Sequence, residues 1–142
     1  MDVPVLFHTG FAAAGPGYPG GAGFKLKYSA PIPRIDDIAA DFPDLTIIMA
    51  HPSWPWIEEQ IAVTLHKANV FLDLSGWSPR FIPESLVREA DTRLRDKVLF
   101  GSDYPYLPPD RWLKEFESLP IRDEVRSKIV LANAKRVLKI AS

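Results

Sequence analysis

Cysteine is absent from this chain of 142 residues, which excludes disulfides, thiolate metal sites and thiol nucleophiles. An excess of either charge is absent too. With 17 Lys and Arg against 18 Asp and Glu, the formal net charge is −1, so the basic surface that a nucleic acid needs is not expected. No apolar run approaches the roughly 18 residues of a membrane span. The opening Met1-Asp2-Val3-Pro4 has neither the basic start nor the apolar core of a signal peptide, which makes the cytoplasm the expected compartment. Histidine is scarce, at 3 residues. Proline is plentiful, at 14 residues, and most prolines flank apolar runs, where they punctuate elements.

The apolar runs themselves are short and do not alternate. Val3 to Phe7, Leu45 to Ala50, Asn69 to Leu74 and Lys97 to Phe100 read as strands buried on both faces, as in a parallel sheet. Between and after them the apolar spacing turns helical. Helices are expected over Ile35 to Phe42, Trp56 to His66, Pro83 to Ala90, Arg111 to Leu119 and Asp123 to Lys139. Residues 11 to 33 form a long loop rich in glycine, alanine and proline. This β-α alternation predicts an α/β fold with right-handed crossovers. Two architectures satisfy it: an open doubly wound sheet, or a piece of a (β/α)8 barrel. A whole barrel needs eight strands in about 250 residues. The chain as a barrel is therefore half of one.

Chemistry concentrates where the strands end. The first run ends at His8, the second at His51, and the fourth runs through Gly101 and Ser102 into Asp103. In a parallel sheet those ends share one edge, so the three side chains can converge. Imidazole and carboxylate are the ligand set of catalytic zinc, manganese or iron. The third histidine, His66, falls near the end of a helix beside Lys67 and reads as a solvated surface residue. Trp54 and Trp56 follow His51, and Trp77 and Tyr104 hold equivalent places after the later strands; together they could line an aromatic substrate pocket. Asp73, inside the third strand and next to Ser75, reads as a structural hydrogen-bonder, with support of a ligand from behind as the alternative.

Two tempting motifs fail on context. Gly15-Pro-Gly-Tyr-Pro-Gly20 has the G-x-G-x-x-G spacing, but Pro16 and Pro19 prevent the helix that a dinucleotide site must open. Ser102 and Asp103 are adjacent and cannot align through a histidine, and the G-x-S-x-G elbow is missing.

The ordered set Pro4-Val-Leu-Phe-His-Thr-Gly10, Phe42-Pro-Asp-Leu45, Ala50-His-Pro52, Asn69-Val-Phe-Leu-Asp-Leu-Ser75, Leu99-Phe-Gly-Ser-Asp-Tyr-Pro105 and Asn133-Ala134 resembles the amidohydrolase-related family of metal-dependent (β/α)8 enzymes. That family includes aminocarboxymuconate-semialdehyde decarboxylase and γ-resorcylate decarboxylase. The resemblance implies that residues 1–142 are a single partial domain: strands five to eight of a TIM barrel and its C-terminal helix. It implies that His8 and Asp103 bind a divalent metal, zinc or manganese. His51 would orient or protonate the substrate, and Asp103 would also help to activate water or substrate. The family's first strand carries His-x-His or Glu-x-His, which this chain does not have. A half barrel would expose parallel edges and an apolar interior. It is therefore expected to homo-oligomerise or to associate with a missing N-terminal half.

The function that the resemblance implies is hydrolysis of a small carbonyl or carboxylate substrate, cyclic or aromatic. Nonoxidative decarboxylation of an aromatic or unsaturated acid is the alternative, and an inert half barrel the second alternative.

Overall fold

The computed structural model describes residues 3–140; of the residues discussed above, Met1, Asp2, Ala141 and Ser142 lie outside it. Each apolar run becomes a strand: β1 (Val5–His8), β2 (Ile47–Ala50), β3 (Val70–Asp73) and β4 (Val98–Leu99). All pair in parallel, in the order β1-β2-β3-β4. Helices α1 (Arg34–Asp41), α2 (Ile57–His66) and α3 (Glu84–Asp91) cross over between successive strands, and α4 (Pro109–Phe116) follows β4. This is the strand-helix order of a partial (β/α)8 barrel. The loop over residues 11–33 is not structureless, for it contains a left-handed run at Gly20–Ala22 and a short 3₁₀ turn at Leu26–Ser29.

The sheet has two unlike faces, because alternate strand residues point to opposite sides. Ile47, Met49, Val70, Leu72 and Val98 face outward and are completely buried under the helices. Trp112 of α4 lies at the heart of that layer, stacked on Phe116 at 4.7 Å and tilted against Phe100 at 5.0 Å. The other face carries Leu6, Ile48 and Phe71 in register, and in the next row His8, Ala50, Asp73 and Leu99.

That inner face departs from the expectation of an open barrel interior. Ile48, Phe71 and Leu99 are only 7%, 8% and 4% exposed, because Val137 packs with them as a small second core. Exposure is confined to the β1 side, where Leu6 remains 61% accessible. The C-terminal segment is what brings Val137 there.

The single helix expected over Asp123 to Lys139 is also corrected. It is α5 (Asp123–Ser127), a π-helical turn (Lys128–Ala132) and α6 (Asn133–Val137). In the π turn the Asn133 N–H reaches back to the Lys128 carbonyl. The Ile129 carbonyl accepts instead from the N–H of Phe100, just past β4, at 2.9 Å. Asn133 adds its side-chain amide, donating to the carbonyls of Arg95 and Val98 at 2.9 and 2.8 Å. The helix thus satisfies backbone groups at the end of the sheet that no further strand covers. Among the described residues, no helix is long and apolar enough to cross a membrane.

Candidate active site at the strand ends

Parallel strands deliver the polar residues to one edge of the sheet. A hollow of about 240 Å³ there is lined by His8, Phe11, Ala13, His51, Gly76, Trp77 and Asp103. A second depression shares His8, His51 and Asp103 and adds Leu6, Ala50, Asp73, Ser75 and Gly101. The rings of His8 and His51 meet edge to face, with centroids 4.9 Å apart.

Two of these residues hold backbone conformations that side chains seldom adopt. His51 has φ 74° and Asp103 has φ 68°, both in the left-handed region. Such strain persists only where the surroundings over-determine it. At His51 the determinants are visible. Its N–H donates to Asp73 Oδ1 at 3.1 Å, and its carbonyl accepts from Gln60 Nε2 at 2.8 Å. Gln60, fully buried in α2, also accepts the Ser53 N–H at 3.0 Å. Ser53 Oγ in turn donates to Thr9 Oγ1 at 2.6 Å, tying the turn after β2 to the end of β1.

The His51 ring is fixed from the third strand. Ser75 Oγ lies 2.8 Å from His51 Nδ1 and donates to Asp73 Oδ1 at 2.5 Å. The ring packs so closely on Gly76 that a Cβ there would stand 2.6 Å from Nδ1. On the other side, a Cβ at Gly101 would stand 2.9 Å from the Ser75 Cβ. Both glycines are spaces the site requires.

Of the sequence-predicted residues, the fold brings His8, His51, Asp103 and Trp77 together. Trp77 is held from beneath, its carbonyl accepting Trp112 Nε1 at 3.1 Å. Trp54, Trp56 and Tyr104 do not line the hollow. Trp54 is half exposed and packs edge-on against Phe11 at 5.8 Å, while Trp56 is half-buried at the start of α2. Past the left-handed turn at Asp103 the chain leaves the site, and Tyr104 is 74% exposed. Phe11 is a wall that sequence reading missed, because it sits in a loop with no periodic signal. Ser75 was legible: it stands two residues after Asp73, on the same face of an extended segment. His66 is exposed, as expected.

The donor chemistry of His8 and Asp103 suits zinc or manganese. Their number does not. Among the described residues no group of three or more His, Asp or Glu is gathered to hold a metal ion. A catalytic zinc takes three protein ligands. The described residues of this chain therefore do not complete a metal site by themselves.

Burial, and next the neighbouring His51, hold the His8 pKa below the ordinary value of 6.5, against a smaller opposing pull from Asp103. The unfolded chain then binds more protons than the native one between the lowered pKa and 6.5, so stability falls as the pH drops through that window. Titrating the metal-free chain by NMR should place the His8 midpoint under 6.5. A midpoint above that value would show that the Asp103 charge outweighs burial.

The family model described as amidohydrolase matches residues 1–140. The chain belongs to the amidohydrolase family. Solved structures agree on the barrel. An uncharacterised TIM-barrel protein from Bordetella bronchiseptica is 33% identical, with a TM-score of 0.79 over 97% of this chain and 46% of that one. A 2,6-dihydroxybenzoate decarboxylase from Rhizobium is 17% identical, with a TM-score of 0.67 over 98% and 52%. A dihydroxybenzoic acid decarboxylase from Polaromonas, solved with manganese and the inhibitor 2-nitroresorcinol, is 21% identical, with a TM-score of 0.53 over 72% and 36%. No curated protein matches the chain. This amidohydrolase chain spans about half the length of the Bordetella and Rhizobium proteins it matches.

Proposed function

We propose that this chain is one half of a catalytic barrel that removes the carboxyl group of a small aromatic or unsaturated acid as carbon dioxide. One observation carries the reading: His8, His51 and Asp103, delivered by separate strands, share a hollow with Phe11 and Trp77. Aromatic walls suit a flat ring and exclude water from it. In decarboxylation the carbon–carboxyl bond breaks and the ring carbon takes up a proton. In this reading His51 moves that proton, with Asp103 beside it at the mouth. The decarboxylases of dihydroxybenzoates among the structural neighbours support this choice of substrate.

His8 and Asp103 are proposed to lend two ligands to a divalent ion, zinc or manganese, whose other ligands come from outside this chain. Bound there, such an ion supplies positive charge beside a substrate oxygen.

Hydrolysis is the second reading, favoured by the description of the family as amidohydrolase. There His51 would take a proton from water instead. Assays of the protein supplied with Mn2+ or Zn2+ separate the two: carbon dioxide from hydroxybenzoates supports the first, acid from lactones or amides the second. No turnover of either class, with no metal retained, would leave the inert half barrel.

The exposed Leu6 on the β1 side of the inner face points to a partner, either a second copy or an N-terminal half barrel. Light scattering on the eluting protein should give a mass above that of one chain. A clean monomer would exclude self-association.

A further inference from the structure

We infer that Ser75 and Asp73 form a relay that locks the tautomer of His51, holding the proton on Nδ1 and leaving the lone pair on Nε2. The direction of each hydrogen bond follows from donors that have no choice. Asp73 Oδ1 already accepts two backbone N–H groups, from His51 at 3.1 Å and Ser75 at 2.9 Å. An oxygen receiving those bonds is an acceptor for the Ser75 hydroxyl as well, at 2.5 Å, whatever the protonation of the other carboxyl oxygen. Serine has a single hydroxyl proton, and Asp73 takes it. The contact of 2.8 Å between Ser75 Oγ and His51 Nδ1 can then be a hydrogen bond only if Nδ1 carries the proton.

The surrounding backbone leaves the three groups little room to rearrange. Gly76 presses on the His51 ring and Gly101 on Ser75 and Asp73, each closely enough that a Cβ would collide. Asp73 also ties the His51 backbone through the same oxygen that holds Ser75. Backbone and ring are therefore set by one carboxylate.

Ser75 is thus a positioning residue and not a nucleophile; its hydroxyl is turned away from any reaction and toward Asp73. The consequence is that His51 gains and loses its working proton at Nε2. That consequence rests on the proton-transfer role proposed above, whereas the tautomer itself does not.

The test is long-range 15N–1H NMR of the full chain labelled on histidine, recorded well above the ordinary histidine pKa of about 6.5 so that the rings are neutral. His51 is recognised among the 3 histidines by the signals lost in His51→Gln. The expected result is a pyrrole-type Nδ1 and a pyridine-type Nε2 for His51. Ser75→Ala, checked for a dispersed spectrum, should move the ring toward the opposite tautomer. A pyridine-type Nδ1 in the unaltered chain overturns the inference without any variant. A Ser75→Ala chain that is folded and keeps the Nδ1–H form overturns the role of Ser75. Loss of catalytic activity with the tautomer confirmed would instead count against the proposed function alone.

Discussion

Gly76→Ala should lower the turnover of the assembled enzyme by about 100-fold or more, since a displacement near 1 Å at a catalytic group has that order of effect. The new Cβ would stand 2.6 Å from His51 Nδ1 and 3.0 Å from Cε1, where van der Waals contact begins near 3.4 Å. The neighbour is a ring held by Ser75, so it cannot yield like the free end of a long side chain. Its movement would break the hydrogen bond to Ser75 Oγ. The backbone adds its own penalty: Gly76 has φ 72°, and a left-handed alanine costs about 1–2 kcal/mol. The melting temperature should therefore fall modestly while kcat/KM collapses. Wild-type turnover with an unchanged His51 NMR signal would show that the ring does not lie against Gly76.

Gln60→Ala should cost about 2–6 kcal/mol, because it strands two backbone groups worth about 1–3 kcal/mol each when left unpaired. The Gln60 amide bridges the His51 carbonyl and the Ser53 N–H, and no part of Gln60 is exposed to water that could replace it. Against a total stability of about 5–15 kcal/mol for an ordinary domain, that loss is large. The local effect should exceed the global one. His51 keeps its left-handed backbone only while both its N–H and its carbonyl are held, so the turn should relax first. Urea denaturation measures the cost, and hydrogen exchange at Ser53 measures the local opening. A loss below about 1 kcal/mol, within the range of a surface substitution, would mean that water reaches the bridge.

Gln60 also shows how much of the site a sequence discloses. It lies in the stripe Ile57, Gln60, Ile61, Thr64, spaced as the buried face of a helix. A polar residue on that face must find a partner, so its burial in a hydrogen bond is legible. Which backbone it would bridge is not. The strand ends His8 and His51 were legible in the same way, from apolar runs that stop in a histidine. Trp54, Trp56 and Tyr104 looked equivalent to Trp77 because each follows a strand. Their side chains were sorted by turns whose direction depends on tertiary contacts. Tyr104 follows a left-handed Asp103, and nothing about an aspartate before Tyr-Pro announces that φ.

The amino-acid pattern alone determined the parallel strand-helix order and the edge on which His8, His51 and Asp103 gather. These follow from local hydrophobic period and from the rule that parallel strand ends share an edge. Tertiary structure alone decided the rest. Val137 closes part of the inner face because a π turn redirects the last helix onto β4. His51 is oriented because one carboxylate, Asp73, is within reach of both its backbone and its serine partner. Contacts between residues 22 positions apart have no local signature, since their energy exists only once the strands are paired.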